Sequence, residues 1–208
     1  MKNLNQLEKN VKDIDAQLED KDTVRELALK SSRAIRRLSR KMIKEIHQDH
    51  DPQETFNEAI QEVSKLKSII EGYPELFHSG FLRNGFQELA EAHILWALTG
   101  DKEPMSAEEL GISPSSYLLG LADVVGELRR DSLEKLNEGN IQRAEELLEA
   151  MDRIKDMLME LDYPKAIIPI KNKQDMARAL VEKTRGDIAV SSHREKLRED
   201  IAELTKKL

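Results

Sequence analysis

A chain of 208 residues with a formal net charge of −7 is not a general nucleic-acid coat protein, because phosphate contacts need clustered Lys and Arg. It contains no cysteine, which excludes disulfides and thiolate metal sites and leaves His and carboxylates as metal donors. Hydrophobic residues make up 39%, aromatics 4% and charged residues 35%, the balance of a soluble helical protein, and no apolar run approaches the ~20 residues of a membrane span.

The chain starts MKNLNQLEKN, without the apolar stretch of a signal peptide, so the expected location is cytoplasmic, with no membrane partner. Leu4, Leu7, Val11, Ile14 and Leu18 follow 3-4-3-4 spacing and predict an amphipathic helix with a narrow seam for another helix. Asp20-Lys21-Asp22-Thr23 reads as a weak break. A second helical pattern runs from Val24 to about His47, with Ile35, Leu38, Met42 and Ile46 on its apolar side. At 100° per residue, Arg33, Arg36, Arg37, Arg40, Lys41 and Lys44 fall on the other side as one basic stripe.

Asp51-Pro52 predicts a helix start with Asp as N-cap, and Gly72-Tyr73-Pro74 its end. The next helix begins between Glu75 and Phe81 and reaches Thr99. Ser106-Ala107-Glu108-Glu109 is a capping box on a short turn closed by Gly111, and Ser113-Pro114 opens a long helix ending near Gly139-Asn140. Ile141 to Leu161 is amphipathic, Tyr163 to Pro169 is a loop, and a helix from Lys171 to Val190 precedes a last amphipathic segment marked by Leu197, Ile201, Leu204 and Leu208. No run of period-two alternation and no internal repeat occurs, so the expected fold is all-α: a bundle of about seven helices forming one domain over 1–208.

Two of these helices carry unusual acids. GFQELAEAHILWAL, residues 85–98, holds Glu88 and Glu91 at i,i+3; SYLLGLADVVGELRR, residues 116–130, holds Asp123 and Glu127 at i,i+4. Each pair projects from one face of a mostly apolar helix, and like charges at that spacing repel. Removing water from a carboxylate costs several kcal/mol per ion, so converging acids on core-like helices imply a hard cation, Mg²⁺ or Mn²⁺. Di-iron chemistry is disfavoured, because neither pair has the Glu-x-x-His arrangement that such bundles use. Gly120 and Gly126 beside the second pair predict close approach of a helix or a ligand, and His93 and Trp96 read as core.

FQELAEA followed downstream by YLLGLADVVGELRR resembles the translin and translin-associated factor X (TRAX) family, and the likeness runs from the basic helix to DMARALVEKTRGDIA. The acids place the resemblance with the TRAX-like branch, in a compact form of prokaryotic, archaeal type with a short connection between the acid helices and no nuclear-targeting run. The resemblance implies a translin-like all-α fold and a metal-dependent endoribonuclease. Glu88, Glu91 and Asp123 then correspond to catalytic acids that hold Mg²⁺ or Mn²⁺, and Glu127 to the additional acid of the GEL motif. It further implies a closed homo-octameric shell with a basic inner surface enclosing single-stranded RNA, lined by the Arg33 to Lys44 stripe. Arg130, one turn from Glu127, is placed either to contact a scissile phosphate or to pair with Glu127 or Glu134. The alternatives are a translin-type protein that binds single-stranded RNA or DNA without cutting it, and a structural scaffold.

Overall fold

The computed structural model describes residues 2–100 and 102–206, and every regular element among them is helical. Six α-helices follow in chain order: α1 (Lys2–His47), α2 (Gln53–Ile69), α3 (Gly80–Thr99), α4 (Pro114–Asn137), α5 (Ile141–Met159) and α6 (Lys171–Lys206), with a 3-10 turn at Pro74–His78. The number falls short of seven because two expected breaks do not occur. Asp20–Thr23 contains neither Gly nor Pro, and its polar groups are satisfied on the helix surface: Thr23 Oγ1 donates to the Glu19 carbonyl at 3.0 Å and Arg25 pairs with Asp22 at 2.8 Å. Nothing between Val190 and Leu197 interrupts the backbone ladder either, so α6 runs on to Lys206. Leu208 lies outside the described residues. None of the described helices is long and apolar enough to cross a membrane.

The caps agree with the residues that announced them, with one exception. Ser106 and Glu109 form the reciprocal box, the Ser106 N–H donating to the Glu109 carboxylate at 2.7 Å and the Glu109 N–H to the Ser106 hydroxyl at 3.2 Å. Ser113 Oγ accepts the Ser116 N–H at 3.2 Å and starts α4. Pro52, not Asp51, occupies the N-cap of α2, since the ring already holds φ at −83°, while the Asp51 carboxylate still accepts the Gln53 N–H at 3.3 Å.

Helix α3 lies between α1 and α4, α2 covers α1, and α5 and α6 pack on α4. This places α3 at the centre of the core, where Phe86, Leu89 and Leu95 are fully buried, each stabilising the fold by roughly 1.5–3 kcal/mol. Two glycines set its spacing from its neighbours. A Cβ at Gly85 would stand 2.8 Å from Ser32 Oγ on α1, and one at Gly120 on α4 would stand 2.6 Å from both Ala90 Cβ and the Gln87 carbonyl of α3. The close crossing predicted at Gly120 is therefore between the two acid-bearing helices. On the far side, Arg129 of α4 donates to Thr184 at 2.7 Å and to Asp187 at 2.8 Å, which ties the middle of α6 to α4, and Gln174 donates to the carbonyls of Leu158 and Leu161, which ties the first turn of α6 to the end of α5.

The ends of the long helices leave their apolar seams uncovered. Leu4, Leu7, Val11, Ile14 and Leu18 are each more than half exposed, as are Leu197, Ile201 and Leu204.

Candidate active site

Glu88 and Glu91 from α3 and Asp123 and Glu127 from α4 line one cavity of about 470 Å³, together with Arg40 of α1 and the first turns of α6. The close Gly120 crossing makes this possible, since the two helices approach so closely there that a Cβ at Gly120 would stand 2.8 Å from the Glu91 backbone nitrogen. Three of the acids have turned to bases or amides. Glu88 accepts from Arg36 Nε at 2.9 Å and from Arg40 Nε and Nη2 at 2.9 and 3.2 Å. Asp123 accepts from Gln87 and from Lys173 of α6. Glu127 accepts from His47 Nε2 at 2.6 Å, with Arg130 Nη1 at 3.9 Å. The His47 ring is 4% exposed, and its Nδ1 lies 2.7 Å from Asp131 Oδ1.

Glu91 differs from the other three. It has no hydrogen bond or ion pair among the described residues, and burial, reinforced by the charges of Asp123, Glu127 and Glu88, pushes its carboxyl up to about 8. Burial likewise raises Asp131, partly offset by His47. Among the described residues no three His, Asp or Glu side chains stand close enough together to form a ready coordination shell. The donor set nevertheless suits a hard cation: it is all oxygen, it lines one cavity, and it includes a half-buried carboxylate that no base contacts, Lys173 acting on it only from a distance.

A pH prediction follows from Glu91. An acid whose folded pKa is raised stabilises the fold fully below its unfolded value near 4.5, and that contribution is lost as pH rises through about 8. Glu91→Gln removes the decline. In EDTA the variant should unfold at a higher temperature than the parent at pH 9, and the two should converge at pH 4.5 and below. A constant difference across that range would show that Glu91 is not the charged group responsible.

The basic stripe reaches this cavity. Arg33, Arg36, Arg37 and Arg40 line a groove of about 290 Å³ along α1, and Arg40 also lines the acid cavity, so groove and cavity adjoin at that residue. Part of the stripe is neutralised by its neighbours, with Arg36 and Arg40 on Glu88 and Lys41 3.6 Å from Glu45. Arg33, Arg37 and Lys44 point to solvent.

The Translin family model matches residues 22–185, which takes in the basic stripe and both acid pairs. The chain belongs to the Translin family. This Translin-family chain is 38% identical over 188 residues to an uncharacterized protein of Methanocaldococcus jannaschii, a match covering 88% of the chain and 83% of that protein. Among solved structures it resembles AfC3PO, with a TM-score of 0.80 at 32% identity over 89% of this chain and 98% of the other. AfC3PO in complex with duplex RNA matches with a TM-score of 0.69 at the same identity, covering 89% and 97%. NeC3PO without ligand, at 21% identity, TM-score 0.73 and coverage of 88% and 97%, shares the fold.

Within this member of the family, the four acids named from sequence come together, and Arg40 joins them. Arg130 is exposed and does not line the cavity; its Nη1 lies 3.9 Å from Glu127. His93 is buried, stacks on Phe56 with 5.0 Å between ring centroids and accepts the Met105 N–H at 2.9 Å; burial lowers it to about 4, so it is a neutral core residue, and Trp96 packs beside it. Sequence reasoning missed His47, Asp131 and Lys173 as partners of the acids. His47 closes the same basic helix one turn past Lys44, a usable signal, whereas Lys173 sits in a polar first turn that carries no mark of its destination.

Proposed function

We propose that this Translin-family chain is a divalent-metal-dependent endoribonuclease that works as a homo-oligomer on RNA. The observation that carries this reading is a basic groove that adjoins, at Arg40, a cavity lined by four carboxylates, one of them half-buried with no base in contact. The groove suits a phosphate backbone, and the cavity suits the cation that would be needed where a phosphodiester is cut. That AfC3PO has been solved with duplex RNA supports RNA as the ligand. We expect single strands as the preferred substrate, and duplex RNA belongs in the same assay.

In this mechanism Arg33 and Arg37 hold phosphates along α1, and Arg40 sits where the backbone passes into the cavity. Glu88, Glu91 and Asp123 would hold Mg²⁺ or Mn²⁺, and Glu127, oriented by its hydrogen bond with His47, would complete the set. When bound, such an ion polarises a phosphoryl oxygen and lowers the pKa of water. Arg40, which lines the cavity, and Lys173, paired with Asp123, are placed to relieve charge on the phosphate. Hydrolysis of this kind leaves a 5′-phosphate and a 3′-hydroxyl, whereas attack by the neighbouring 2′-hydroxyl leaves a cyclic phosphate. Labelled RNA incubated with Mg²⁺ or Mn²⁺ and with EDTA, followed by end-group analysis, tests the reading; cyclic ends or EDTA-resistant cleavage would defeat it.

The uncovered seams of α1 and α6 support self-association, because a single chain leaves both apolar stripes in water. A closed octamer, expected from the family resemblance, is tested by the mass of the particle in solution.

A second reading is a protein that holds RNA or single-stranded DNA without cutting it, favoured by the bases already engaged with Glu88, Asp123 and Glu127. Both readings predict that Arg33→Gln with Arg37→Gln weakens RNA binding. For two lost phosphate contacts on a single strand, the slope of log affinity against log salt should flatten by about 1.4. An unchanged slope would remove the α1 groove from the interface.

A further inference from the structure

We infer that the apolar wall of the acid cavity, formed by Ala122 and Gly126 of α4 and Met176 and Leu180 of α6, is a subsite for one nucleobase of the RNA beside the scissile bond. This inference rests on the endoribonuclease reading. Its first support is an unexplained glycine. Gly85 and Gly120 are required by helices that pass within 2.6–2.8 Å of their missing Cβ atoms, but a Cβ at Gly126 would meet nothing within 4 Å. A mid-helix glycine is unfavourable relative to alanine, so in the interior of α4 it calls for a reason that packing within the chain does not supply. Gly126 lines the cavity next to Glu127 and one turn from Asp123, so its missing side chain leaves room where a substrate would lie.

The second support comes from α6. Lys173, Met176 and Leu180 share one face of that helix at i, i+3 and i+7; Lys173 pairs with Asp123, and the next two turns bring Met176 and Leu180 to the cavity. Met176 is 55% exposed, a large apolar side chain left in water beside a cavity that also holds four carboxylates and Arg40. A thioether beside a small apolar floor suits the face of an aromatic ring. A nucleotide has both parts: a phosphate for Arg40 and the acids, and a flat base for this wall. The cavity, at about 470 Å³, falls within the ~300–1,000 Å³ range of small-ligand sites.

The test compares Gly126→Ala and Gly126→Leu with Gly186→Ala, a matched control in α6 whose added Cβ also meets nothing within 4 Å and which lies outside the cavity. Gly126→Ala should unfold no lower than the parent, because the space is open. Gly126→Leu should lose about tenfold or more in kcat/KM on labelled RNA, as expected when a shaped apolar pocket is filled, while Gly186→Ala cleaves as the parent does. A second readout does not depend on cleavage: displacement of a fluorescent oligoribonucleotide by adenosine 5′-monophosphate and by ribose 5-phosphate. The parent should bind the nucleotide better than the sugar phosphate, and Gly126→Leu and Met176→Ala should erase that difference. Equal displacement by the two probes in the parent, or unaltered cleavage and displacement in Gly126→Leu, overturns the subsite. Absence of any metal-dependent cleavage by the parent overturns the nuclease reading instead, and the displacement experiment still decides whether a base is held there.

Discussion

Glu88→Gln is expected to lower RNA cleavage about a thousandfold while leaving RNA binding undiminished or tighter. The loss follows from the chemistry proposed for the cavity: an ion's stabilisation of developing charge amounts to several kcal/mol, each 1.36 kcal/mol is a factor of ten in rate, and a misplaced ion forfeits most of it. The gain in binding follows from geometry. Glu88 accepts three hydrogen bonds from Arg36 and Arg40, so it withdraws two members of the basic stripe from any phosphate that lies along α1. A neutral glutamine releases both guanidinium charges and removes a negative one from the path of the backbone. Asp123→Asn should abolish cleavage to a similar degree, with less effect on affinity, since its base is Lys173 on α6 and not a member of the stripe. Measuring kcat/KM and the equilibrium constant on the same oligonucleotide separates the two effects. Parallel loss of cleavage and binding in Glu88→Gln would mean that Glu88 is a structural anchor for α1, and retained cleavage in both variants would leave the acids without a catalytic role.

The second large effect belongs to a residue with no functional group. Gly120→Ala is expected to destabilise the fold by about 2 kcal/mol, net of the ~1 kcal/mol that alanine contributes to helix propensity, and to lower the unfolding midpoint by about 4–8 °C. The added methyl would lie 2.6 Å from Ala90 Cβ and the Gln87 carbonyl and 2.8 Å from the Glu91 nitrogen. Two of those atoms are backbone within the central helix of the core, so α3 and α4 must separate as bodies. Cleavage should fall further than stability explains, because that separation moves Glu88 and Glu91 away from Asp123 and Glu127. Thermal unfolding followed by the RNA assay well below the midpoint checks both parts. The same substitution at Gly126, where the methyl meets open space, should raise the midpoint or leave it unchanged. If both glycines responded alike, the close crossing would not be what holds the acid helices together.

Much of this molecule was legible before any coordinates. The period of 3.6 in the apolar residues placed α2 to α5 and their caps, because burial on one face of a helix leaves a mark at every third or fourth position. The same logic placed each acid pair on one face of its helix, since spacing along a helix is local geometry, and the density of apolar residues around Glu88 and Glu91 pointed to a helix buried on most sides, as α3 is. The two breaks that failed to appear, at Asp20–Thr23 and beyond Val190, show where local reasoning stops. Polar residues that suit a turn are equally content on the surface of a continuous helix, and without a Gly or Pro the ladder of backbone hydrogen bonds is the cheaper arrangement.

What lay outside the reach of local pattern was which side chains meet across helices. That Glu91 is the acid without a base, that His47 and Lys173 serve Glu127 and Asp123, and that Arg36 and Arg40 are occupied by Glu88 all depend on how α1, α4 and α6 pack around α3. These partners lie 48 to 80 positions apart in the chain, a separation at which residue spacing carries no orientation. The amino-acid order was sufficient for the helices, their apolar faces and the presence of four acids poised in pairs. The convergence of those pairs into one cavity came from a single close crossing at Gly120, and whether a charge there is neutralised or left exposed to its like neighbours is a property of three-dimensional proximity, which falls off with distance through space and not along the chain.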